Sequence, residues 1–136
     1  MKLTTLIFAV LLLSTTSTLT TAGDDASVYF ITPQSGDVVS GEFKIQFGLR
    51  GMGVAPAGVE KDKTGHHHLL IDVDVLPPMD APLPKSEQVR HFGGGQTETR
   101  LSLPPGKHTL QLVLGDYTHT PHKTPVISKK ITITVK

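Results

Sequence analysis

The chain has no cysteine among its 136 residues, and that absence removes several kinds of protein at once. No disulfide can staple the fold, no thiolate can act as nucleophile or metal ligand, and no lipid-bearing N-terminal cysteine can tether it. An excess of one charge is missing too. Lysine and arginine number 13 against 12 aspartates and glutamates, so the basic surplus of a nucleic-acid binder is not there. The long apolar run is confined to Leu6 to Leu13, which is too short to span a bilayer. Sustained helical periodicity is absent after it.

What is present begins with a leader. Lys2, the apolar stretch and the small residues Thr20-Thr21-Ala22 read as a signal peptide over residues 1–22, cleaved before Gly23. The expectation is one exported domain over residues 23–136, periplasmic or extracellular, with no transmembrane segment in the mature chain. Loss of the leader removes one of the 13 basic residues, Lys2, and leaves 12 of each sign. The seven histidines are then the reservoir of charge, because imidazole titrates between pH 5 and 8.

Period-two alternation marks the remainder. Val28-Tyr29-Phe30-Ile31 reads as a first strand, and Phe43, Ile45, Phe47 and Leu49 alternate with polar or small residues in a second. Arg50 to Thr64 reads as a long glycine-bearing loop. Leu76 to Arg90 carries four prolines and reads as an extended surface connection. Further strands are expected before Leu103, over His108 to Gly115 and around Ile131, Ile133 and Val135. About seven strands separated by turn signals predict an all-β fold, an antiparallel immunoglobulin-like β-sandwich, with a small open barrel as the alternative.

The functional hint lies in Gly65-His66-His67-His68-Leu69-Leu70-Ile71-Asp72, where adjacent histidines run into a strand. Alternation places His67 toward the core and His66 and His68 together on the other, exposed face, with Cα atoms roughly 7 Å apart. Two imidazoles so placed can converge on one ion. A complete site needs three or four donors, and the loop histidines His119, His122 and His91 are the candidates. All-imidazole ligation without thiolate suits copper or zinc. Met52 and Met79 are conceivable soft donors, although a lone methionine in an apolar loop is usually packing.

Four ordered motifs carry a resemblance: Gly65 to Asp72 above, His91-Phe92-Gly93-Gly94-Gly95-Gln96-Thr97-Glu98, Pro105-Gly106-Lys107-His108-Thr109-Leu110-Gln111-Leu112, and Gly115-Asp116-Tyr117-Thr118-His119-Thr120-Pro121-His122. Together they resemble a family of small exported bacterial proteins grouped under a domain of unknown function. The resemblance spans nearly all of residues 23–136 and implies an exported single-domain protein, without an activity or a catalytic residue. Pro105 to Leu110 is also similar to the Pro-Gly-x-Tyr-Thr-Leu start of a late strand in bacterial immunoglobulin-like modules. His108 stands where a corner tyrosine would be, its second nitrogen expected on a nearby carbonyl.

Two function classes follow. The first is a binder of one copper or zinc ion at the histidine cluster. The second is a non-catalytic interaction or ligand-binding module for a protein partner or small molecule, its histidines forming a hydrogen-bonded network. Enzyme chemistry has little to stand on. Gly93-Gly94-Gly95 lacks the lysine and helix of a phosphate loop, no serine has a nucleophile context, and nothing singles out Glu98 as the base of a three-histidine zinc hydrolase.

Overall fold

Nine strands follow one another in the computed structural model, which describes residues 25–136: β1 (Ser27–Thr32), β2 (Val38–Val39), β3 (Glu42–Arg50), β4 (Gly53–Val54), β5 (Thr64–Ile71), β6 (Val89–His91), β7 (Glu98–Ser102), β8 (Gly106–Gly115) and β9 (Ile131–Val135). The leader expected over residues 1–22 lies outside the described residues. Among those described, no helix is long and apolar enough to cross a membrane.

The strands form two sheets, β1-β3-β7 and β2-β9-β8-β5-β4, with β6 also paired to β5. This is an immunoglobulin-like β-sandwich. Its interior is built from the alternation visible in the sequence: Phe43, Ile45 and Phe47 of β3 face Leu110, Leu112 and Leu114 of β8 and Ile133 of β9 in one apolar cluster. The long pairings are antiparallel, but the two-residue strands β2 and β4 pair in parallel with β9 and β5.

β5 occupies the centre of its sheet. β8 runs along one edge from His66↔Gly115 to Ile71↔Leu110, while β4 and β6 share the other. Both faces of β5 are covered, which corrects the expectation of an exposed face: His66, His67 and His68 are all 0% exposed. The roof is a second apolar cluster of Leu70, Leu83, Val89 and Val113, with Met79 and Ile127 against it. Leu83 belongs to the proline-rich connection, so that segment is partly an inner layer. A strand buried on both faces carries a continuous apolar run, and Leu69-Leu70-Ile71 is such a run.

At the far end of β5 the chain turns through Asp72, whose φ is 53°. His108 Nδ1 lies 2.7 Å from Asp72 Oδ2 and its Nε2 2.7 Å from the Pro104 carbonyl. Both partners accept, so the two contacts together favour the doubly protonated imidazolium. The Asp72 hydrogen bond accordingly raises the His108 pKa. Because the folded value lies above the unfolded one, this clip stabilises fully below pH 6.5 and is lost as pH rises through the raised value. His108→Gln is therefore expected to cost more stability at pH 6 than at pH 9, measured by urea unfolding at both.

Candidate metal centre

The two strand histidines are fixed by register. His66 pairs with Gly115 and His68 with Val113 on β8, while His68 faces His91 across β6. Gly115 is what lets the rings in: a Cβ there would stand 2.5 Å from His68 Cε1 and 3.0 Å from its Nδ1. Gly115→Ala is expected to displace the His68 ring, costing about 1–3 kcal/mol by overpacking and about tenfold or more in metal affinity. Thermal unfolding and calorimetric titration would measure the two.

His119 comes from a tight loop after β8. Asp116 N donates to the Thr120 carbonyl at 2.8 Å and His119 N to the Asp116 carbonyl at 3.0 Å. Asp116 Oδ1 accepts from Thr118 N, Thr118 Oγ1 and Thr120 N. Burial opposes ionisation of this carboxyl, but the Thr118 and Thr120 bonds outweigh it and lower its pKa. The closure holds His119 at φ 66°, a left-handed conformation costing about 1 kcal/mol, and turns its ring toward β5.

His66 Nε2, His68 Nε2 and His91 Nδ1 lie 2.9, 3.3 and 3.1 Å from one atom, His119 Nδ1. A ring nitrogen carries either one proton or one lone pair, so it can satisfy one of these neighbours and not three. The separations of His66 and His68 from His119 are near the spacing of about 3.3 Å between nitrogens that share one ion at about 2.0–2.1 Å. One ligand atom each from His66, His68 and His119 lies within 4.8 Å of the others. These residues could hold a metal ion.

His91 adjoins this set through the rings of His68 and His119, but is not one of the three residues whose ligand atoms lie mutually within 4.8 Å. Its Nε2 lies 2.9 Å from the Pro84 carbonyl, which only accepts. The proton therefore sits on Nε2 and the Nδ1 lone pair faces the cluster, an orientation by a second partner typical of metal-binding histidines. His66 and His68 have no such director, since Nδ1 of each is buried without a hydrogen-bond partner.

Electrostatics favour the neutral form of His66, His68 and His119. Burial first, then the neighbouring His119 and His91, push His66 down to about 4. Burial and the charges of His66, His91 and His119 take His68 to about 3. His119 is lowered as well, by burial and then His91. Neutral imidazole is the ligating form, so the cluster is ready to bind at neutral pH.

The other expected residues lie elsewhere. His122 Nε2 is buried without a partner against Gly65, 2.9 Å from where a Cβ would be. It is not among the rings that meet at His119. His67 points into the sandwich as expected, with its ring centroid 5.1 Å from that of Phe47, and burial lowers it to about 4. The Gln96 backbone lies near enough to its ring to oppose that shift, although neither nitrogen makes a hydrogen bond of good geometry. Glu98 is on β7, exposed and paired with Gln46 and Lys44. Met52 packs against the main core and Met79 against the second cluster. The contributions of Gly115 and Pro84 were missed: one is a glycine at a strand end, the other a carbonyl in a proline-rich segment, and neither has a side chain that announces chemistry.

Fold and site together define an immunoglobulin-like β-sandwich with a histidine cluster able to hold a metal ion. The chain belongs to the family described as a domain of unknown function (DUF4399), which matches residues 45–136. No curated protein matches it. Among solved structures, an endo-β-1,4-mannanase from Thermotoga petrophila is similar at 14% identity and a TM-score of 0.50, over 82% of this chain and 20% of the mannanase. The chain thus spans about a fifth of that enzyme's length, and the likeness is one of fold. Fibronectin(III)-like modules of Clostridium thermocellum CbhA match at 17% identity over 80% of this chain and 95% of theirs, with a TM-score of 0.42. The PKD domain of human KIAA0319 matches at 16% identity over 90% and 91%, with a TM-score of 0.39.

Proposed function

We propose that this chain is an exported β-sandwich, periplasmic or extracellular, that binds one copper or zinc ion for delivery, buffering or structural stabilisation. The donors are His66 Nε2, His68 Nε2 and His119 Nδ1, with His91 Nδ1 as the fourth. The observation that carries this reading is the convergence of three imidazole nitrogens on the one nitrogen of His119. A hydrogen-bonded network cannot satisfy that arrangement, whereas an ion among the rings takes a lone pair from each. A donor set of imidazoles alone suits Cu(II) and Zn(II), and the intrinsic order of affinities favours Cu(II).

Calorimetric titration of metal-free residues 23–136 with Cu(II) and with Zn(II) tests the proposal. One ion per chain is expected, with a melting temperature that rises on loading and falls back with chelator; at a free ion concentration 100 times Kd the gain is about 2.7 kcal/mol. If the cluster is a scaffold for a protein or small-molecule partner instead, chelator leaves the melting temperature where it was.

A further inference from the structure

We infer that Leu83 and Pro84 latch the histidine cluster, so that ion binding and the seating of residues 76–85 over β5 and β8 are one equilibrium. The inference rests on the metal reading above and adds its regulation. Two of the four donors, His91 and His119, come from peripheral elements, and consecutive residues hold both. Leu83 N donates to the His119 carbonyl at 3.0 Å, and His91 Nε2 donates to the Pro84 carbonyl at 2.9 Å. Among the described residues these are the hydrogen bonds tying residues 76–85 to the rest of the fold.

The sequence suits the task. In Pro82-Leu83-Pro84 the central residue owns the single backbone N–H, and its neighbours restrict the chain on either side. The Leu83 side chain is buried against Leu70 and Val113. Leu70 is two residues beyond His68 on the same face, and Val113 is the cross-strand partner of His68. The latch thus joins the ring cluster to the second apolar cluster. An ion pins His119 and His91, and with them the groups that Leu83 and Pro84 grip. Without it, crowded nitrogens compete for one site on His119 and the segment is freer to lift, uncovering Leu70 and Val113. Loss of the ion thereby becomes exposure of an apolar surface.

Thermodynamic reciprocity makes this quantitative. The factor by which the ion favours the seated segment is the factor by which seating raises ion affinity. Amide hydrogen exchange at Leu83 in the mature protein is expected to slow about tenfold or more with saturating Zn(II). Leu83→Ala should weaken Zn(II) binding by up to the same factor, and Leu83→Met should restore most of it. Binding of an apolar dye should rise on chelation. Should the wild-type chain bind no Zn(II), the metal reading falls and takes this inference with it. Tight Zn(II) binding with the Leu83 amide unmoved overturns this inference alone, whatever becomes of the alanine variant.

Discussion

Replacing His66 and His68 together by alanine is expected to lower Cu(II) and Zn(II) affinity by at least about a thousandfold. Loss of a group that merely orients a ligand typically costs 10- to 100-fold, and this change removes two ligands from the rigid half of the site. His119 and His91 alone cannot enclose an ion. The substitutions also empty space in a region that is 0% exposed, so the double variant needs a stability control. His66→Gln/His68→Gln keeps more of the side-chain volume and should lose the ion equally. Calorimetric titration of both variants beside the wild type decides the matter; equal affinity in all three would end the metal reading.

Acid should unfold the metal-free protein early. His66 and His67 fall from an ordinary 6.5 to about 4 in the fold, and His68 to about 3. Above pH 6.5 these rings are neutral in both states and their contribution is constant. As pH falls from 6.5 toward 4 the unfolded chain takes up protons that the folded chain refuses, and each such ring lowers stability. Three such rings titrating together make the fall steep against a total of about 5–15 kcal/mol for a domain. Urea unfolding between pH 7.5 and 4 should therefore show a steep loss with an uptake of two to three protons. His67→Leu removes one of those protons and an unpartnered polar ring, so it should flatten the slope by about a third. A curve level from pH 7 to 4 would contradict this account.

Alternation in Phe43 to Leu49 and Ile131 to Val135 made the sandwich legible, because a half-buried strand writes its environment into every second residue. The same rule misread one face of β5. Polar residues at His66 and His68 looked like a solvated surface, whereas the apolar partner of that face lies in Leu83, in a segment whose prolines hide any period. His119 and His91 were legible as residue types but not as neighbours, since their meeting depends on how a tight loop and a three-residue strand fold back on β5. His122 differs from His119 by three positions, and the turn at Asp116 sends the two rings to different places. Spacing alone holds no trace of that.

The placement of β5 between β8 on one side and β4 and β6 on the other divides the four clustered histidines into two kinds. His66 and His68 sit on a strand buried on both faces, whereas His119 lies in a loop and His91 on a three-residue strand, the kinds of element that open locally at lower cost. Entry and departure of an ion would then proceed through the movable pair. Residence time would be set by how often those parts swing aside, and affinity by how well they close against an anvil that stays still.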